Sequence, residues 1–152
     1  LSYKIYVDEY LPIKESEICV IVFHGVGGNG RLLSFMAAPL FRAGYEVICP
    51  DLPGYGFSEY DRYPSYNDWI RIGCEIVRSK INDNKKVVLL GLSAGGMLAY
   101  NVACHFKEIK GLIVTNILDN RIDIIREYSA RNKFQAKYGL NILKFMPSII
   151  KK

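Results

Sequence analysis

A serine acts as a nucleophile only where the chain lifts its hydroxyl clear of its neighbours and a base takes its proton. The stretch Val87 to Tyr100, VVLLGLSAGGMLAY, meets the first condition. Apolar β-formers from Val87 to Leu90 run into Gly91-Leu92-Ser93-Ala94-Gly95, and a helix-compatible segment follows at once. This is a G-x-S-x-G turn set between strand and helix, the context that gives the pattern its meaning. A turn this sharp leaves no room for side chains two residues to either side, and Gly91 and Gly95 meet that demand. A helix starting beneath the turn aims its N-terminal amides at any oxyanion formed there. The competing reading is a glycine-rich turn with an incidental serine.

Two upstream motifs weigh against that competitor. His24-Gly25-Val26-Gly27-Gly28-Asn29-Gly30 follows the apolar run Ile18 to Phe23, and Asp51-x-x-Gly54-x-Gly56-x-Ser58 follows the short strand expected at Tyr45 to Cys49. Both are loops in which the backbone bends freely and comes close to whatever lies beside it. A base for Ser93 is harder to find, because the chain has only two histidines, His24 and His105. A helix over residues 94–106 places His105 about 18 Å from Ser93 at 1.5 Å per residue, beyond hydrogen-bond reach.

The elements that must position these residues alternate. Leu1 to Val7 reads as a strand with Tyr3, Ile5 and Val7 on one face, and Pro12 closes the region. Ile18 to Phe23 has no polar face, which suits a central parallel strand covered on both sides. A helix follows over residues 31–43, with Leu32, Phe35, Met36 and Leu40 along one side, Pro39 inside and Gly44 as its stop. After the strand at residues 45–49, Ser65 and Asp68 form a capping-box signal for a helix that reaches about Asn82. The Ser93 strand and its helix come next, then a strand over residues 109–115. This order predicts an α/β fold, a doubly wound and mostly parallel sheet with helices on both faces.

With 152 residues, half of them hydrophobic, the chain suits one globular domain with a sizeable core. The longest apolar run is far short of the roughly 18 residues of a membrane span. Cys19, Cys49, Cys74 and Cys104 show no C-x-x-C pairing and fall in apolar segments, where reduced thiols behave as small hydrophobes. A reducing, cytoplasmic compartment is the expectation. The net charge of +5 is uneven: residues 120–152 hold 8 of the 20 Lys and Arg but 2 of the 15 Asp and Glu, leaving 12 against 13 for residues 1–119. The basic tail carries short helical patterns broken by Gly139 and Pro147. No nucleic-acid-reading motif accompanies it, and no metal or cofactor motif is present.

Taken together, the three glycine-rich motifs in this order and spacing make the chain similar to the α/β-hydrolase superfamily, within it to the lipase, esterase and monoacylglycerol-lipase-like branch. The resemblance covers residues 1 to about 119 as a partial hydrolase core, with 120–152 as the start of a helical cap or lid. It implies that Ser93 is the nucleophile of a carboxylic ester hydrolase forming an acyl-enzyme. The backbone N–H groups of Val26 and Ala94 would hold the oxyanion, and each such donor is worth about 3–4 kcal/mol of barrier. His24, Gly25, Gly27, Asp51, Gly91 and Gly95 would shape the site, His24 by orienting the oxyanion loop. Family members with an aspartate at the elbow open epoxides or cleave haloalkanes, and this chain has serine. Asp119 is a possible acid, or it merely caps the first lid helix.

The family's histidine and later strands are not in this sequence. Either the 152 residues are the N-terminal part of a longer hydrolase, the favoured expectation because a truncated sheet exposes an aggregation-prone edge, or the chain is a catalytically incomplete protein that binds a small apolar ligand. The expected partner is a small-molecule ester, not nucleic acid. Weak contact of the basic tail with an anionic membrane surface is a further possibility, set against an ordinary solvated helical face.

Overall fold

The computed structural model describes residues 3–61 and 64–115, all within the first of the two compact units into which the chain divides, Leu1–Ile117. Asp119 and the helices expected over 120–152 lie outside the described residues.

Five strands form the main sheet in the order β2-β4-β3-β6-β7: β2 Val7–Tyr10, β4 Glu46–Pro50, β3 Ile18–Phe23, β6 Lys86–Leu92 and β7 Gly111–Thr115. Only β2 runs antiparallel to its neighbour; β4, β3, β6 and β7 are mutually parallel. Helix α1 (Ser34–Arg42) connects β3 to β4, α2 (Tyr66–Asn82) leads to β6, and α3 (Ala94–Ala103) leads to β7. The α/β architecture expected from the alternation is therefore present.

Side-chain alternation along β3 explains the two helical layers. Cys19, Ile21 and Phe23 join the core under α2 and α3, with Val77, Leu98 and Val102. Val20 and Val22 face the other way, into a cluster with Leu33 and Ala37 at α1. A strand covered on both faces gains nothing from polar residues, so its sequence is apolar throughout. At the far end of the sheet, β7 is an outermost strand among the described residues, with Leu112 and Ile113 exposed.

Ser65 caps α2 as expected. Its hydroxyl accepts from the Asp68 N–H while the Asp68 carboxylate accepts from the Ser65 N–H.

Four local expectations are corrected. The first strand is two: β1 (Tyr3–Lys4) pairs with the short β5 (Glu59–Tyr60), and β2 pairs with β4. Between them the Tyr6 carbonyl accepts the Asp51 N–H, which ties the break to the loop after β4.

Second, α1 is preceded by a 3-10 turn at Arg31–Leu33. That turn advances about 120° per residue instead of 100°, which shifts the apolar phase. Leu33 and Ala37 are buried, whereas Leu32 and Phe35 are 60% and 66% exposed.

Third, α3 stops at Ala103, where His105 and Phe106 donate three residues back to Val102 and Ala103 and tighten the end. His105 is exposed, and so is Cys104, which leaves the apolar interior to Cys19 and Cys49. Fourth, β7 begins at Gly111, after Lys110 has donated to the Val87 carbonyl.

Candidate active site

In a parallel sheet, a crevice opens at the carboxyl ends of two adjacent strands whose connections leave in opposite directions. Here the chain leaves β3 toward β4 on one side, while β6 pairs with the other side of β3 and continues to β7. The switch point therefore lies between β3 and β6. Phe23 pairs with Gly91, so His24-Gly25 and Leu92-Ser93 emerge side by side.

Ser93 holds φ +56° and ψ −120°, one of two positive-φ residues other than glycine among the described residues. A conformation of this kind costs on the order of 1–3 kcal/mol and persists only where its surroundings enforce it. The Ser93 N–H donates to the Thr115 carbonyl on β7 at 2.9 Å. Its own carbonyl accepts from Gly96 at 2.8 Å and Met97 at 3.2 Å, starting α3. The two glycines are sterically required: a Cβ on Gly91 would lie 2.2 Å from the Gly95 carbonyl oxygen, and one on Gly95 would lie 2.2 Å from that of Phe23. So β6, α3 and the end of β3 are locked together at closest approach. The Ser93 hydroxyl is left half-buried, with no hydrogen bond among the described residues.

Opposite it runs the loop after β3. A Cβ on Gly25 would stand 3.3 Å from Ser93 Cβ and 3.9 Å from its Oγ, so only backbone faces the hydroxyl. The Gly28 N–H donates to the Gly25 carbonyl and closes the turn, and Val26 at its tip is 71% exposed. Neither the Val26 N–H nor that of Ala94, the first residue of α3, has a hydrogen-bond partner among the described residues. A helix leaves its first amides without internal acceptors, so that of Ala94 is open to an external one.

His24 is 1% exposed and both ring nitrogens are engaged. The Leu52 N–H donates to Nε2 at 2.9 Å, which fixes the proton on Nδ1, and Nδ1 donates to the Gly25 carbonyl at 2.8 Å. Burial pushes its pKa down, so the ring stays neutral. Tyr55 packs edge-on against it. This histidine holds the Gly25 loop to the loop after β4 and has no free nitrogen for a serine proton.

Asp51 is likewise consumed by the fold. Oδ1 accepts the Gly30 N–H at 2.6 Å, Oδ2 accepts the Phe57 N–H at 2.7 Å, and its carbonyl accepts the Ser58 hydroxyl at 2.7 Å. Gly56 is at φ +57°, and a Cβ there would fall 1.8 Å from Asp51 Oδ2.

The sequence reading did not identify the wall of the site. A cleft of about 360 Å³ beside Ser93 is lined by the Gly25–Asn29 loop and by Leu32, Leu33, Phe35 and Leu92. The signal was the apolar character of residues 32–35, read as core because a continuous helical phase was assumed. A larger hollow of about 640 Å³ lies between Tyr55, Tyr60 and Trp69 and does not include Ser93. Among the described residues, no three His, Cys, Asp or Glu side chains are placed to hold a metal ion.

With this geometry in view, residues 18–142 match the family model described as alpha/beta hydrolase fold. The chain belongs to that family. This α/β-hydrolase chain is 28% identical over 99 residues to a thermostable monoacylglycerol lipase of Bacillus sp. (strain H-257), covering 64% of this chain and 39% of the relative. It is 34% identical over 100 residues to mouse epoxide hydrolase 4, covering 62% of this chain and 26% of that protein. It therefore spans well under half the length of these relatives. An esterase from Exiguobacterium antarcticum shares the fold with a TM-score of 0.68 at 23% identity, over 93% of this chain and 55% of that one. No helix among the described residues is long and apolar enough to cross a membrane.

Proposed function

We propose that this α/β hydrolase supplies the nucleophile and oxyanion site of a serine hydrolase that cleaves a carboxylic ester through an acyl-enzyme on Ser93. The observation that carries the reading is the juxtaposition of Gly25 with Ser93: the hydroxyl of a residue in a strained backbone conformation faces bare backbone, and the amides of Val26 and Ala94 have no partner among the described residues. Ser93 Oγ attacks the ester carbonyl carbon as a base takes its proton, and the carbonyl oxygen becomes an oxyanion between the two amides. Collapse of the tetrahedral species breaks the carbon–oxygen bond to the alcohol, which leaves with the proton from the base. Water then repeats the sequence on the acyl-serine and releases the acid. His24 cannot be the base, and exposed His105 stands beyond the far end of α3. The base and acid are therefore to be sought outside the described residues, where Asp119 also lies.

The likeness to the monoacylglycerol lipase supports an ester substrate. That to the epoxide hydrolase is weighed against Ser93 itself: a serine that opened an epoxide would become an ether that water does not cleave, whereas an acyl-serine turns over. A second reading, a non-catalytic binder of a small apolar ligand, draws on the absence of an available base among the described residues.

Intact mass after treatment with a fluorophosphonate separates the two. One phosphonyl adduct, mapped to Ser93 and absent in Ser93→Ala, is expected of the hydrolase. A full natural chain that takes no adduct would place the binder first.

A further inference from the structure

Thr115 ends β7 with a buried hydroxyl that the ester mechanism does not use. We infer that it is a positioning residue for the base of Ser93, fixing that base by one hydrogen bond on the β7 side of the elbow. This assignment rests on the serine-hydrolase reading.

Among the described residues, two side-chain oxygens are shut off from solvent without a hydrogen-bond partner, Asp8 Oδ2 and Thr115 Oγ1. Asp8 still accepts the Tyr6 hydroxyl at Oδ1, whereas Oγ1 is the one polar side-chain atom that Thr115 has. A buried polar group left unpaired destabilises the fold. Valine has nearly the same shape and escapes that cost, and the neighbours Leu112, Ile113 and Val114 are all apolar. A hydroxyl here is a burden on folding unless it makes a bond in the working enzyme.

Its placement says what that bond could serve. Strand β6 lies between β3 and β7, so the elbow has two flanks. On the β7 flank Thr115 pairs with Leu92, and its carbonyl accepts the Ser93 N–H at 2.9 Å. Alternation along the strand sets the direction of the side chain. Val114 packs into the core under α2 and α3, so Thr115 turns to the opposite face, that of its partner Leu92, which lines the cleft with Ser93.

The β3 flank is taken. Gly25 brings bare backbone against Ser93 there, and the Val26 amide proposed to hold the oxyanion belongs to the same loop. A base must come within about 3 Å of the serine hydroxyl, from a side that the oxyanion and its donors leave clear. The β7 flank carries no part of that loop, and it carries a hydroxyl able both to donate and to accept. Imidazole and carboxylate each have two polar atoms. A base held at one of them by Oγ1 keeps the other aimed at Ser93, which is the task of the third group in a serine relay.

The test uses the full natural chain with Thr115→Val and Thr115→Ser. It reads the rate constant for phosphonylation of Ser93 by a fluorophosphonate, together with kcat and KM for p-nitrophenyl acetate. Thr115→Val keeps the shape and loses the hydroxyl. It is expected to slow phosphonylation and kcat by about tenfold or more, since a misplacement of 1 Å can cost about 100-fold, with KM little changed. Thr115→Ser keeps the hydroxyl and loses a methyl group, and is expected to stay within about threefold of wild type. A packing role predicts the reverse order, with serine the worse replacement, and that order would overturn the assignment. So would rates within about threefold of wild type in both variants. An adduct that forms equally fast in wild type and Thr115→Val removes this assignment alone. A wild-type chain that takes no adduct and hydrolyses no ester removes the hydrolase reading, and this assignment with it.

Discussion

Ser93 and Asp51 stand at comparable places, each just beyond the carboxyl end of a parallel strand, yet the fold treats them in opposite ways. Asp51 is 1% exposed and has both carboxylate oxygens and its carbonyl filled by hydrogen bonds from Gly30, Phe57 and Ser58. Among the described residues Ser93 is held through its backbone alone, in a strained conformation, and its hydroxyl has no partner there. A polar group whose bonding capacity is satisfied inside the protein fixes shape. One that is positioned by its main chain and left open is available for chemistry. His24 belongs with Asp51, although it lies nearer Ser93.

The sharpest break in this comparison is a crossover of two alanine variants. Ser93→Ala is expected to lower ester turnover by about 10³-fold or more while leaving the urea midpoint near wild type. Asp51→Ala is expected to cost about 2–5 kcal/mol in urea unfolding, because it strands the buried Gly30 N–H and the partly buried Phe57 N–H. If Asp51→Ala kept full stability and lost turnover, Asp51 would belong on the chemical side.

A smaller effect separates His24 by pH. Its folded pKa lies below the unfolded value near 6.5 because burial disfavours the charged ring. Between the two values the unfolded chain binds more protons. Stability is thus fully present above about pH 6.5 and is lost as pH falls toward the folded value. Unfolding midpoints measured from pH 8 to 5 should decline on the acid side, with the decline flattened in His24→Gln. An unchanged slope would mean that His24 is not what acid attacks.

The smallest effect sharpens the account of strain. Ser93→Gly removes the Cβ that makes φ +56° costly, but it also adds freedom to the unfolded chain. A net gain of about 1 kcal/mol or less is expected in thermal or urea unfolding, with turnover lost. A clear loss of stability would show that the serine side chain, and not the turn, holds the elbow together.

Much of this was legible in the sequence, for identifiable reasons. The unbroken run from Ile18 to Phe23 announced a strand covered on both faces, and Gly91 and Gly95 announced the close approach at Ser93, because both constraints act on residues adjacent in the chain. The Ser65–Asp68 cap was readable for the same reason. Leu32 and Phe35 were misread because a three-residue 3-10 turn changes the helical phase without any mark in composition. The hydrogen bonds that occupy His24 and Asp51 were also hidden in detail. They come from Leu52, Gly30 and Phe57, backbone groups that any residue but proline could supply.

The premature end of α3 has a practical consequence. Burial raises the thiols of Cys19 and Cys49 to about 12 and raises that of half-buried Cys74, whereas Cys104 emerges into solvent just past Ala103. Cys104 is the natural attachment point among the described cysteines for a maleimide fluorophore or spin label. Because α3 starts directly after Ser93, the label would sit roughly 16 Å from that serine at the end of a rigid rod. Ligand arrival at Ser93 would then be visible as a change in energy transfer or dipolar broadening, without altering any residue around it.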